Sequence, residues 1–446
     1  MLKRFAAPAS VLACALLPLP AATASAATTK AASKPSPCLT RAPSAQPKWC
    51  VGWLKKRAER LATKNQPAAI PTPAPVPQPD TSVVPAGALD GHPVTLKFAP
   101  GNIWTTPVPA DAPLDASSAA RVAALASAIT AREALGHTPS MGTTNYSTPI
   151  YVVGHDVPRV PVILDTGAWG DPFRQALSSG VPIPVNAIPA GGTDAHLVIY
   201  QPSTDSLWEF WRARLATDGW HAAWGGATNN LSNMPGFYTT SAWGDASAVQ
   251  GWDWGASASS TIGGAGVILP SEIASGEIDH AIGMAIGQAC SYMFTLPAQR
   301  HDGQDTSANC MPEGARLRLD PTLDLDAMHL PKMTLLLARA AQRYGIIVHD
   351  TTGDTIQMAA EDMTWTGSNP YIGPTGLFGG DAPWKFMTAF PWSHLQLLPM
   401  SLCTTSPCTA PAAPQIAAPS KSARRAGHVR RVKHVRKTSR GRHGRR

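Results

Sequence analysis

From residue 195 to residue 350, short runs of the chain alternate apolar and polar side chains with a period of two. "AHLVIYQP" (195–202), "SLWEFWRARL" (206–215), "EIDHAIGMAI" (277–286), "ARLRLDP" (315–321) and "GIIVHD" (345–350) are such runs, with turn residues between them. That period sends alternate side chains to opposite faces of a strand, so the runs predict a β-rich body. Two segments break the pattern. "APLDASSAARVAALASAITAREAL" places Asp115 as a candidate N-cap ahead of an alanine-rich stripe, and "LPKMTLLLARAAQRYG" has Pro331 in a first-turn position and Gly345 as a stop; both are predicted helices. Strands outnumber helices without alternating regularly with them. The expected fold is therefore mainly β, an antiparallel β-sandwich or jelly roll with a few peripheral helices. The stretch "GASASSTIGGAG" (255–266) reads as one long loop, because strand-like sequence continues on both sides.

The ends of the chain carry different patterns. Residues 1–26 combine Lys3 and Arg4, an apolar stretch and a small-residue ending, the layout of a signal peptide. An alternative inside it is lipidation at Cys14 in "VLAC", although the apolar stretch runs on well past that residue. Residues 27–66 form a basic segment with a short amphipathic helix expected in "WCVGWLKKRAERLATKN". Residues 67–86 are a Pro-rich spacer, 87–408 the globular body, and 409–446 an Ala/Pro stretch leading into a basic tail. No segment has the ~18 consecutive apolar residues that a spanning helix needs.

Charge is distributed unevenly along this chain, whose formal net charge is +8. Between Ser420 and Arg446 there are twelve Lys and Arg and no acid, whereas Gly87 to Pro419 carries a net of about −13. The tail is expected to bind an anionic cell-wall polymer or an anionic lipid surface, or to fold back onto the acidic body. No aromatic residue is interleaved with its bases, which argues against a nucleic-acid stacking platform. Setting Cys14 aside, the remaining cysteines fall as near pairs, Cys38 with Cys50, Cys290 with Cys310 and Cys403 with Cys408. In an exported chain this spacing favours structural disulfides.

Candidate chemistry rests on carboxylates and indoles. On a strand, Glu209 shares a face with Leu207 and Trp211, and a carboxyl group beside indole rings can be driven toward a general-acid pKa; pairing with a nearby arginine is the structural alternative. In "SGEIDHAIGMAI", His280 points with the isoleucines as a core-edge histidine. Asp279 stands at the end of a small-residue face that includes Gly283 and Ala285 and that a flat ligand or another backbone could approach. Seven of the fourteen tryptophans lie between Trp208 and Trp254. Indole faces stack on sugar rings, so Trp208, Trp211, Trp224 and Trp254 are candidate substrate contacts, with core packing as the alternative. "VPVILDTGAW", with Asp165, invites comparison with pepsin-like aspartic peptidases, but the second loop they require has only a near match in "VHDTTGD" around Asp350. Arg300, His301 and Asp302, and Glu313 with Arg316 and Arg318, are further charged groups around the Cys290–Cys310 loop. No metal-binding, Walker, dinucleotide or nucleophile-elbow motif occurs, and neither a metal nor a cofactor is expected.

The segments "GEIDHAI", "PEGARLRLDP", "AAQRYGIIVHD", "TGSNPY" and "FPWSHLQLL" resemble those of a group of secreted actinobacterial proteins that carries no established activity. The similarity spans about Phe98 to Leu398 and implies export and one continuous domain. The expected function is that of a secreted, cell-envelope-associated protein that binds a polysaccharide. If it is an enzyme it hydrolyses that polysaccharide, with Glu209 and Asp279 as the carboxylate pair and His196, His280 and Arg300 as positioning or proton-transfer partners. The competing expectation is a non-catalytic, wall-attached binding or structural protein.

Overall fold

Residues 96–408 are described by a computed structural model, except 168–169, 245–250 and 354. The signal peptide, the basic N-terminal segment, the Pro-rich spacer, the Cys38–Cys50 pair and the basic tail lie outside the described residues.

In chain order the helices are α1 (Ser118–Glu133), α2 (Asp171–Leu177), α3 (Pro270–Ser275), α4 (Lys332–Arg343) and α5 (Pro383–Thr388). The strands are β1 (Ser140–Gly142), β2 (Ile150–Val152), β3 (Val162–Leu164), β4 (Leu197–Gln201), β5 (Ser206–Trp211), β6 (Arg214–Ala216), β7 (Gly219–Ala222) and β8 (Trp224–Thr228), followed by β9 (Ile282–Ile286), β10 (Ala289–Thr295), β11 (Met311–Glu313), β12 (Arg316–Leu319), β13 (Ile346–Thr351), β14 (Ile356–Ala359), β15 (Leu395–Leu397) and β16 (Leu402–Cys403). The body is mainly β. Its strands form a six-stranded sheet ordered β1-β14-β9-β13-β12-β15, a four-stranded sheet β2-β4-β5-β8 and two three-stranded sheets, β3-β7-β6 and β11-β10-β16. Each sheet is mixed rather than antiparallel, because each contains a parallel pair: β1 with β14 and β9 with β13 in the largest, then β2 with β4, β3 with β7 and β10 with β11. Long irregular connections make those parallel pairs possible, since a tight hairpin joins only antiparallel neighbours.

Two apolar cores hold the sheets. One packs the four-stranded sheet against Trp104, Phe173, Tyr238 and Trp254; the other packs the six-stranded sheet against α1, α4 and α5. Strand β9 shows how the period-two pattern works. Ile282, Met284 and Ile286 are fully buried in the second core, each stabilising by roughly 1.5–3 kcal/mol, while Gly283 and Ala285 turn to the opposite face. There the loop backbone at Gly266 comes so close that a Cβ on it would lie 2.6 Å from the Gly283 nitrogen. The absence of side chains at both positions is what lets loop and strand touch.

Helix α1 starts later than Asp115, with Ser117 at the cap, and the Asp115 carboxylate instead accepts the Ser117 N–H (2.8 Å) and hydroxyl (2.6 Å) just before it. Helix α4 ends as expected before Gly345, whose φ of +84° is a left-handed conformation that glycine adopts freely. No described helix is long and apolar enough to cross a membrane.

Cys290 is bonded to Cys310, and Cys403 to Cys408. Cys290–Cys310 closes a segment that carries Arg300, His301 and Asp302, and it is buried at both ends. Replacing both cysteines by alanine is expected to destabilise the body by about 3 kcal/mol, the chain-entropy value for a loop of this length. Urea denaturation under oxidising conditions measures it; an unchanged midpoint would show that packing alone holds the segment.

Candidate functional site

Strand β5 sets one wall of a cleft. Its pairing places Glu209 opposite Val198 and Gly226, and Trp211 opposite Trp224, so Glu209 and both indoles share a face of the four-stranded sheet. Trp208 and Phe210 take the other face and are buried in the core. The six-stranded sheet supplies the opposite wall through Gly283 and Ala285 of β9 and His349, Asp350 and Thr351 of β13, while the loop 253–266 fills the space between. Two lobes result, with volumes of about 360 and 630 Å³, sharing Asp194, His196, Ser257 and Asp350 in their walls. Both fall within the range of small-ligand sites, roughly 300–1,000 Å³.

The smaller lobe is floored by Gly263, Gly264, Gly266 and Gly283. Glu209 is fully buried beside it, and its two carboxyl oxygens accept the N–H groups of Ala256 (2.9 Å) and Gly263 (3.1 Å). Burial pushes Glu209 up to about 7, against the pull of those backbone N–H groups and of Arg300. With both oxygens committed to the loop, Glu209 fixes the Gly-rich floor, and no arginine pairs with it directly.

Asp350 sits where the lobes meet. Burial and then the neighbouring Asp302 carboxylate push it up to about 7, although it accepts the N–H groups of Thr351 (2.8 Å) and Ala258 (3.4 Å). Asp302 is exposed and accepts the Thr351 hydroxyl at 3.0 Å. Behind it the fully buried Glu313 accepts the Asp302 N–H at 3.3 Å; burial, then Asp302 and Asp350, hold Glu313 well above the carboxylate range. His349 is driven down to about 4 by burial and by His196, and burial also lowers His196, so neither imidazole is charged at neutral pH.

Arg300 shapes the larger lobe. Its guanidinium donates to the carbonyls of Ala258 (2.9 Å), Gly255 (3.1 Å) and Ser257 (2.8 Å) and to Asp253 (3.1 Å), gathering the loop wall around one side chain. Trp211 donates its indole N–H to Asp194 (3.1 Å) and Trp224 to the Asp253 carbonyl (2.9 Å), so both rings are fixed edges of this lobe.

Of the residues singled out in the sequence, Glu209, His196, Arg300, Trp211 and Trp224 line the cleft. Trp208 and Trp254 have no exposed surface and belong to the core. His280 is buried away from the cleft, its Nδ1 2.8 Å from the Ala281 carbonyl and its Nε2 3.2 Å from the Glu272 carboxylate. Asp279 lines no lobe either. It accepts the Tyr344 hydroxyl at 3.2 Å and lies 3.6 Å from Arg343, because regular strand geometry begins only at Ile282 and the face alternation does not extend back to it. Asp165 does line the cleft with Asp350, but Arg214 (2.5 Å) and His221 (2.9 Å) hold it below the usual carboxylate range. It therefore shares no proton with Asp350, as an aspartic-peptidase pair requires. Among the described residues no group of three or more His, Cys, Asp or Glu is arranged to hold a metal ion.

The buried acids make stability depend on pH. Glu209, Asp350 and Glu361, the last raised to about 8 chiefly by burial, keep protons in the folded state that the unfolded chain has already lost. Stability should therefore fall as pH rises through 7 to 8. The depressed histidines oppose this only below about 6.5. Between pH 6.5 and 8 the expected loss is on the order of 2–3 kcal/mol, at about 1.4 kcal/mol per proton and pH unit. Denaturant titration at the two pH values tests it, and stability that rises with pH would overturn the protonation assignments.

No described protein family, curated protein or solved structure matches this chain.

Proposed function

We propose that this is a secreted, cell-envelope-associated protein whose cleft binds a polysaccharide and hydrolyses it by carboxyl acid–base chemistry. The observation that carries the reading is Asp350, a carboxyl group that keeps its proton near pH 7, beside the exposed Asp302 in a cleft edged by Trp211 and Trp224. Glycoside hydrolysis needs an acid to protonate the leaving oxygen and a carboxylate to act as base or nucleophile; Asp350 takes the first role and Asp302 the second. The indole edges offer stacking surfaces for sugar rings. Asp194 and the backbone of the glycine floor supply hydrogen-bonding groups for hydroxyls. Export is supported by the signal-peptide layout of residues 1–26 and by the buried Cys290–Cys310 disulfide, and envelope attachment by the run of bases after Ser420.

The test is release of reducing ends from isolated envelope polysaccharides by the mature protein, alongside equilibrium binding to the same polymers. Release that Asp350→Asn abolishes supports the hydrolase. Binding without release assigns the cleft to a non-catalytic envelope protein, the reading favoured by the commitment of Glu209 to the loop backbone.

A further inference from the structure

Tyr146 holds a backbone conformation that its side chain disfavours. Its φ is +53°, in the left-handed region where a bulky residue other than glycine is an outlier. Such a conformation persists only where the surroundings over-determine it, and three segments do so here. The Tyr146 N–H donates to the Gly191 carbonyl at 3.0 Å, and the Tyr146 carbonyl accepts the Gln357 side-chain amide of β14 at 3.1 Å. Gly142 of β1 closes the third side, since a Cβ on it would lie 3.2 Å from the Tyr146 carbonyl oxygen.

The outcome of this constraint is the placement of one aromatic ring. Gly192, itself at φ +90°, lies against it: a Cβ there would be 3.0 Å from the ring Cε1 and Cζ and 3.1 Å from Cδ1. Near-equal distances to three consecutive ring atoms put that position over the ring face rather than at its edge. The opposite face is left open, and Tyr146 lines the smaller lobe while 45 % exposed. The ring belongs to neither apolar core, so burial does not offset the strain. A strained residue at a cavity wall whose ring packs into no core has its use in what that ring can touch.

The same lobe offers a polar group without a partner. His349 stands over its glycine floor, where a Cβ on Gly283 would lie 3.0 Å from the His349 Nε2. Its Nδ1 is buried with no hydrogen-bond partner, and an unmet buried acceptor costs less than an unmet buried donor. The neutral imidazole therefore carries its proton on Nε2, as a donor beside the lobe. Aromatic surfaces thus flank Asp350, which both lobes share: Tyr146 in the smaller, Trp211 and Trp224 in the larger. We propose that Tyr146 is a sugar-stacking residue of the smaller lobe and that the ligand spans both lobes, with Asp350 at the junction between its sugar units. The open ring face meets the C–H face of a sugar, and the His349 Nε2–H donates to one of its hydroxyls. This inference rests on the polysaccharide reading and names within it the residue that holds the chain on the far side of Asp350.

Equilibrium binding of the full mature chain to isolated envelope polysaccharides, with urea denaturation of the same samples, tests it. Tyr146→Gly is expected to weaken binding by roughly three- to ten-fold, the size of one aromatic contact. Its urea midpoint should stay level or rise, because glycine adopts φ +53° without strain. Tyr146→Phe keeps the ring and should recover the affinity. Trp211→Ala should weaken binding by a factor of its own, and the two factors should multiply in the double variant, since the rings stand in different lobes. Four results would each overturn the proposal: Tyr146→Gly binding like the parent, Tyr146→Gly losing stability together with affinity, Tyr146→Phe binding no better than Tyr146→Gly, or a double variant no weaker than Tyr146→Gly alone. A parent chain that binds none of the polymers sinks the polysaccharide reading and this inference with it. A parent that binds while Tyr146→Gly binds equally sinks this inference alone.

Discussion

If the cleft hydrolyses a polysaccharide as proposed, Asp350→Asn is expected to lower that cleavage at pH 7 by about 10²–10⁴-fold, the usual contribution of a positioned general acid. The amide keeps the volume of the carboxyl group, and its oxygen can still accept the Thr351 N–H. What it lacks is a transferable proton. The same substitution removes a group whose charged form burial and Asp302 disfavour. The variant should therefore fold, and above pH 7 it should be at least as stable as the parent chain. Loss of activity with retained or increased stability separates a chemical role from a structural one.

The pH profile carries a second signature of the same assignment. Activity of the parent should fall as pH rises through about 7, where Asp350 gives up its proton. Asp302→Asn removes the neighbouring negative charge that helps raise Asp350, so whatever activity survives should decline at lower pH than in the parent. Activity that persists in Asp350→Asn with an unchanged profile would move the chemistry elsewhere in the molecule.

The sequence made strands and their faces legible wherever side chains alternate strictly. Gly283 and Ala285 could be recognised as an open face of β9, and they do line the cleft, because Ile282, Met284 and Ile286 fix the opposite face in the core. Asp279 was misplaced by the same logic, which assumed that the strand extends through it. Parallel pairing was not legible: β9 pairs with β13 and β10 with β11 across long separations or irregular connections that leave no local signal. The carboxyl groups that meet in the cleft show the same limitation. Asp302, Glu313 and Asp350 lie in three separate segments, each of which looks like an ordinary turn or strand end. Their shifted proton affinities come from burial and from one another, and both exist only once β13 lies beside β11 and the Cys290–Cys310 loop. Indole burial was likewise undecided in sequence. Trp208 and Trp211 are three residues apart on one short strand, yet alternation sends one to the core and the other to the cleft.

Arg300→Met is expected to destabilise the body by about 3 kcal/mol, the lower end of what breaking a largely desolvated charge pair costs. Its guanidinium meets four groups: the carbonyls of Gly255, Ser257 and Ala258 and the Asp253 carboxylate. Methionine fills much of the same volume but donates to none of those oxygens, leaving the Ser257 carbonyl only the Ser260 N–H at 3.4 Å. Asp253, already raised by burial, then also loses the positive charge that holds it down. Adding Asp253→Asn should recover part of the loss, because no uncompensated carboxylate then remains. The functional damage should exceed what stability alone explains. The loop freed by Arg300→Met is the one that donates N–H groups to both shifted acids, from Ala256 and Gly263 to Glu209 and from Ala258 to Asp350. Amide exchange across residues 253–263 should accelerate before global unfolding. The alkaline limb of any activity should move upward as Asp350 loses a hydrogen bond to its charged form. Unchanged exchange in that loop would show that the backbone of 253–263 holds itself, and would reduce Arg300 to a bystander at the rim of the cleft.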